Sequence, residues 1–310
     1  MDQCKVWVVN DHLTTIPGTR TLWHDLCEWT DGEFIGGDYP LLAGNVEQRA
    51  IATGYPDVII RNGTWFGSIE VPAPTICLIQ DIMPEHSWQR LEQVRVCRAA
   101  ALTVFNSAYT KSKYPELSER PHRVIPLSVD SDIFRPMEVE PVADVCWIGA
   151  PTYIKGWDIL GEVIKSSART FAIVLKERST GRTPDNVRVF DRVPHTELPK
   201  IINGCSVGLC TSREESQHLA GIEMGMCGLP MVAPRIGCYL GLGHPGIVHD
   251  SAPASSVSNM IETLFSEIDR RGGSDTIGIA AFWRERFSRE SCKEAWKEAV
   301  EWVIAFQNRV

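Results

Sequence analysis

Two glutamates, Glu215 and Glu223, stand eight positions apart across what reads as the start of a helix. The stretch TSREESQHLAGIEMGMCGLPMV, residues 211–232, opens as a loop and becomes a mostly apolar, helix-like run from Leu219. It closes at Cys227-Gly228-Leu229-Pro230, where a buried-strand pattern resumes. Carboxylates only accept hydrogen bonds, and each oxygen takes an O–H donor, so they suit the diols of a polyhydroxylated ligand. Amides at a helix start are unpaired donors at the positive end of the helix dipole, and they suit phosphate. A nucleotide sugar offers all of these groups. In this reading Glu223 reaches ribose hydroxyls and Glu215 reaches the sugar ring. The backbone N–H groups of Ser216, Gln217, His218, Leu219 and Ala220 lie between them. On residue types alone a plainer alternative stands beside it: Glu223 as a helix-face acid and Glu215 as a charge at a helix start.

Such a device needs elements to hold it. Short apolar runs predict strands over 5–9, 57–60, 75–79, 102–105 and 124–125, with helices over 19–29 and 92–101. The run Phe134-Arg135-Pro136-Met137-Glu138-Val139-Glu140-Pro141 breaks that rhythm and reads as a linker. A second series follows, with strands over 144–148, 170–174, 187–190, 206–210 and 231–233. Helices are expected over 157–166, 196–203 and 219–226. Alternating strands and helices imply mostly parallel sheets covered on both faces. The architecture expected is α/β: two doubly wound domains, residues 1–136 and 137–285, with a cleft between them. Ligands in such sheets sit beyond the carboxyl ends of strands, where Gln80, Gly149 and Glu215 fall. A last helix over 291–306, within a segment 286–310, carries one apolar face for packing and crosses back to the first domain.

The 310 residues carry a net charge of −8, which disfavours a non-specific nucleic-acid or anionic-membrane binder. No apolar run approaches the ~20 residues needed to span a bilayer. The first residues, MDQCKVWVVND, do not make a signal peptide, so a cytoplasmic location is expected. Ten cysteines are scattered through apolar segments and read as buried free thiols, not as a disulfide framework. Asp130-Ser131-Asp132 falls in the linker and reads as a turn, so no metal-binding Asp-x-Asp motif is expected.

The spacing of an acid, seven residues, a second acid and a nearby Cys-Gly-x-Pro resembles retaining GT-B glycosyltransferases of the family-4, glycogen-synthase-like type. Val124-Ile125-Pro126-Leu127-Ser128-Val129-Asp130 followed by Phe134-Arg135-Pro136, and Ile148-Gly149 followed by Lys155-Gly156, are similar to further segments of that family. The resemblance implies a GT-B fold of two Rossmann-like domains facing a central cleft. It implies Lys155 clamping the diphosphate and stabilising charge on the departing phosphate oxygen, and Val193 lying where backbone reads the base. It also implies a nucleotide sugar, UDP- or GDP-linked, as donor with no cofactor or metal. The family's Arg five positions before the lysine is replaced here by Ala150, with Lys176 or Arg178 as substitutes.

The acceptor side departs further. The family's small glycine loop is matched only by Ile16-Pro17-Gly18-Thr19-Arg20, and its histidine near the sugar by Gln80. Gln80 can donate to a hydroxyl but cannot act as a base. Asp81 beside it is the nearest titratable group, with capping toward Pro84 as its alternative. The resemblance implies front-side attack in which the leaving phosphate helps to deprotonate the acceptor. A saccharide, protein or other soluble hydroxylated acceptor is expected, and a nucleic acid is disfavoured by charge. Ala150 and Gln80 also keep open a catalytically silent module that binds nucleotide sugar or scaffolds a partner.

Overall fold

The computed structural model describes residues 4–10, 17–36, 41–63, 72–176, 183–250 and 252–307. The chain divides into two compact units, residues 1–128 with 290–310, and residues 129–289.

The first unit holds strands β1 (Val6–Asn10), β2 (Glu33–Gly36), β3 (Val58–Asn62), β4 (Thr75–Ile79), β5 (Leu102–Phe105) and β6 (His122–Val124). Helices α1 (Pro17–Thr30), α2 (Leu41–Thr53), α3 (Trp88–Ala99) and α4 (Ala108–Ser112) lie between them. The strands run parallel in the order β2-β1-β3-β4-β5-β6. Val6, Val8, Val58, Ile60, Ile76 and Leu78 face one side of this sheet, while Trp7, Val9 and Ile59 face the other. That alternation with both faces apolar is what a sheet covered by helices demands.

The second unit holds β7 (Val145–Gly149), β8 (Phe171–Leu175), β9 (Val187–Asp191), β10 (Val207–Leu209), β11 (Met231–Pro234) and β12 (Gly246–His249). Its helices are α5 (Trp157–Ser166), α6 (Leu198–Asn203), α7 (Leu219–Met226), α8 (Ala254–Arg271) and α9 (Thr276–Phe287). These strands are also all parallel, in the order β12-β11-β10-β7-β8-β9. Val145, Trp147, Phe171, Ile173, Val207 and Leu209 pack with α5 and α8, while Cys146, Ala172, Val174 and Cys210 pack with α6, α7 and α9. Strand order reverses between β10 and β7, which opens a crevice at their carboxyl ends. The candidate site is built there.

The boundaries differ from those expected at 136 and 285. The division falls before residue 129, and Phe134, in the run expected to be a linker, is fully buried in the core of the second unit. The final helix, α10 (Arg289–Gln307), packs Cys292, Trp296, Ala299, Val300 and Val303 against the first unit's sheet. Burying one such large apolar side chain is worth about 1.5–3 kcal/mol relative to exposure. Asp130 makes the turn expected of it: its carboxylate accepts from the Asp132 and Ile133 amides at 2.9 and 3.4 Å. All ten cysteines are free, eight of them buried. Among the described residues no helix is long and apolar enough to cross a membrane.

Candidate functional site

After β7, residues 150–156 form a loop that is stitched to the exit of β10. Gly156, at φ +67°, begins α5, and a Cβ there would stand 1.9 Å from the Thr211 carbonyl oxygen. Only glycine allows that approach. The Arg213 amide donates to the Ile154 carbonyl at 2.8 Å, and the Thr211 hydroxyl donates to the Lys155 carbonyl at 2.9 Å. Trp147 Nε1 in turn donates to the Thr211 hydroxyl at 3.0 Å. The Arg213 guanidinium grips both Asp158 oxygens at 2.7 Å and the Tyr153 carbonyl at 2.7 Å. These bonds fix the backbone of Lys155, and its side chain takes one direction from there.

That direction is Glu215. Lys155 Nζ lies 2.6 and 2.8 Å from the two Glu215 oxygens, and Ser212 Oγ donates to Oε1 at 2.7 Å. Glu215 is 8% exposed. Burial alone would raise its carboxyl, but His218, Lys155 and Ser212 outweigh burial and hold it below the usual carboxylate range. At neutral pH the lysine and the serine carry this effect, since burial pushes His218 down to about 4 despite the Glu215 charge.

His218 begins α7 in the left-handed region, at φ +70°. Its Nδ1 lies 2.7 Å from the buried Tyr239 hydroxyl. Gly221 makes room for that pair, and Gly237, at φ +54°, lets its turn approach the Gln217 carbonyl and Glu215 Cβ. Ser216, Leu219 and Ala220 lie half-buried at the same helix start. Cys210 Sγ, a Glu215 carboxylate oxygen and a His218 ring nitrogen also lie within 4.8 Å of one another.

Glu223 lies further along α7, 13% exposed, and His195 Nε2 is 3.0 Å from its Oε1. That contact, opposed by partial burial, raises His195 above its ordinary value, with a smaller contribution from Asp130. The His195 ring sits edge-on to Phe134 at 4.8 Å. Val193, two residues earlier and just past β9, packs half-buried against the same core. Gly149 ends β7, where a Cβ would press on the Trp147 ring at 2.7 Å.

Lys155, Glu215, Ser216, His218, Leu219, Ala220 and Glu223 thus gather in one unit around the start of α7. Gln80 and Asp81 belong to the other unit. Gln80 is buried past the end of β4, and its carbonyl accepts from Asn106 Nδ2 at 3.0 Å. The Asp81 carbonyl accepts from the Tyr114 hydroxyl at 3.0 Å. Asp81 is exposed at its edge, yet desolvation by the neighbouring core raises its carboxyl. Lys176 is exposed past β8, while Arg178 and residue 16 of the glycine loop lie outside the described residues. Ser212, Tyr239 and His195 join the site without being singled out by the sequence. The serine three positions before Glu215 is a readable signal; the other two meet the site only through the fold.

No protein-family model matches the chain. A phosphatidylinositol N-acetylglucosaminyltransferase component of Arabidopsis thaliana is 30% identical over 131 residues, covering 37% of this chain and 29% of that protein. D-inositol 3-phosphate glycosyltransferase of Segniliparus rotundus is 28% identical over 142 residues, covering 37% of this chain and 32% of that one. The match therefore spans less than a third of the length of these relatives. Among solved structures, sucrose-phosphate synthase of Thermosynechococcus elongatus superposes with TM-score 0.77 at 12% identity, over 97% of this chain and 99% of that one. HepE of Anabaena, in complex with UDP and glucose, does so with TM-score 0.73 at 16% identity, over 96% and 99%. The fold is GT-B, and the similarity to glycosyltransferases read from the sequence is met by relatives that carry that name.

Proposed function

We propose that this chain is a retaining, metal-independent glycosyltransferase that moves a hexose from a UDP- or GDP-linked sugar to a hydroxyl acceptor such as a saccharide or protein. The observation that carries this reading is the Lys155–Glu215 pair at 2.6 Å, held at the switch point of a doubly wound sheet beside the start of α7. Lys155 is a fixed cation for the departing diphosphate, where charge develops in the transition state. The α7 amides add their dipole to it. Glu215 accepts from sugar hydroxyls, Glu223 accepts from the ribose diol, and the backbone at Val193 meets the base. In front-side attack the leaving phosphate takes the acceptor proton, so no protein base is required. Gln80 and Asp81 are the first unit's candidates for the acceptor side.

Support comes from structural neighbours described as complexes with UDP and with UDP-glucose, and from relatives named as glycosyltransferases. Buried free thiols fit a reducing compartment, and we place the protein in the cytoplasm. A thermal-shift panel of UDP-, GDP-, ADP- and TDP-sugars tests the donor, since a ligand of the native state raises Tm by mass action. The expected result is one nucleotide class that stabilises the protein and is slowly hydrolysed, with the released sugar keeping its anomeric configuration and EDTA changing nothing. Stabilisation by none of them, or an inverted product, refutes the reading.

Ala150 favours a second reading. It stands half-buried where the resembled family has an arginine, and Arg213, just past β10 and beside the same loop, is committed to Asp158. A catalytically silent GT-B module would bind the nucleotide sugar and release no nucleotide from it.

A further inference from the structure

His218 is held in a costly way. Its φ of +70° lies in the left-handed region, uncommon for residues other than glycine though less so for histidine, and such backbone clusters at working sites. Gly221 is shaped to the same purpose: a Cβ there would stand 1.9 Å from the Tyr239 hydroxyl and 2.4 Å from His218 Nδ1. Strained backbone and missing side chain both serve one imidazole–phenol contact of 2.7 Å. A buried phenol needs a hydrogen-bond partner, and a neutral imidazole offers one lone pair and one N–H. With the hydroxyl donating to Nδ1, the ring proton resides on Nε2.

We propose that Tyr239 is a positioning residue that holds His218 as the neutral Nε2–H tautomer, and that His218 and Glu215 together read one hydroxyl of the transferred sugar. The imidazole donates to the hydroxyl oxygen, and the carboxylate accepts the hydroxyl proton. This rests on the glycosyl-transfer reading above and deepens it. The spacing suits this: a Glu215 carboxylate oxygen and a His218 ring nitrogen lie within 4.8 Å of each other. A hydroxyl oxygen making two hydrogen bonds of ordinary length at a tetrahedral angle bridges groups about 4.6 Å apart. Only a group that donates and accepts at once satisfies both partners, so a methylene at that ring position leaves the imidazole N–H unpaired and removes one donor from Glu215. Burial keeps His218 neutral at working pH, which supports the donor role.

The test compares wild type with Tyr239→Phe on nucleotide sugars each lacking one ring hydroxyl, using donor hydrolysis as readout. Wild type is expected to reject one deoxy donor by about a hundredfold or more in kcat/KM, as sites built around a hydroxyl do. Tyr239→Phe loses at least tenfold of that discrimination and binds the nucleoside diphosphate alone within twofold of wild type. Nitrogen NMR of His218 shows Nε2 protonated in wild type and a tautomer mixture in the variant. A wild-type proton on Nδ1, equal discrimination in the two proteins, or a matching loss of diphosphate affinity overturns the proposal. Failure of wild type to bind any nucleotide sugar overturns the underlying function as well, and the tautomer measurement tells the two failures apart.

Discussion

Replacing Lys155 by methionine keeps most of the side chain's apolar stem and removes its charge, which isolates the pair with Glu215. Breaking a fully buried ion pair costs about 3–5 kcal/mol, because the remaining charge is stranded. Lys155 is 34% exposed while Glu215 is 8% exposed, so water screens part of the interaction. The loss at pH 7 is therefore expected nearer 1–3 kcal/mol, a Tm fall of about 2–4 °C per kcal/mol for a domain of this size. The pH dependence sharpens the test. In wild type the Glu215 carboxyl is held below its unfolded value, so its contribution is intact above about pH 4.3 and is lost only as pH falls through the folded value. Without Lys155 burial dominates and the carboxyl rises above its unfolded value, which destabilises the fold at neutral pH and relaxes as protons bind on acidification. The deficit of Lys155→Met measured by urea denaturation should shrink from pH 7 to pH 5, and Lys155→Met with Glu215→Gln should be more stable than the sum of the single losses. Equal deficits at both pH values, or strict additivity, would show that the pair is not coupled as described.

Glu223→Ala is expected to weaken nucleotide-sugar affinity by about 1–3 kcal/mol in calorimetry, through lost charge-assisted hydrogen bonds, and unchanged affinity removes the ribose assignment. His195 should titrate above the ordinary histidine value by NMR and return toward it in Glu223→Gln. Any stability it contributes is present below pH 6.5 and fades as pH rises through its folded value; a His195 titration unmoved by Glu223→Gln refutes the contact. Gly156→Ala combines a positive φ with a Cβ placed 1.9 Å from a carbonyl oxygen. It should cost more than the ~1 kcal/mol of an ordinary glycine substitution, and a variant as stable as wild type would place the 150–156 loop elsewhere.

The strand series is legible in the sequence because buried parallel strands are short runs of Val, Ile, Leu and Cys bounded by polar turns. The helix expected over 157–166 has those ends in the structure. What stays hidden lacks such contrast. Strand β2, Glu33–Gly36, buries only Ile35, and α2 has mixed composition over Leu41–Thr53. Helix α8 shows one apolar stripe, Val257, Ile261, Leu264 and Phe265, among serines and acids, and α9 shows aromatics four apart at Trp283 and Phe287. The Lys155, Glu215 and Glu223 constellation is visible because its spacing is local or shared with a motif. Tyr239 and His195 are not, since they reach His218 and Glu223 across 21 and 28 residues of chain. The displaced domain boundary has the same origin: Phe134 in a proline-rich run looks like a tether until a core closes over it.

Helix α10 sets an order of events during synthesis. The sheet of the first unit lacks the cover supplied by Trp296, Val300 and Val303 until residues 129–289 have been made. At about 5–20 residues per second, that delay amounts to roughly ten to thirty seconds on the ribosome. For that interval Val6, Val8, Ile60 and Ile76 form part of an unfinished apolar face, while the second unit is free to fold as soon as it emerges. The half made first is thus the half finished last, and the emerging chain's exposure to chaperones and aggregation should concentrate on its amino-terminal sheet.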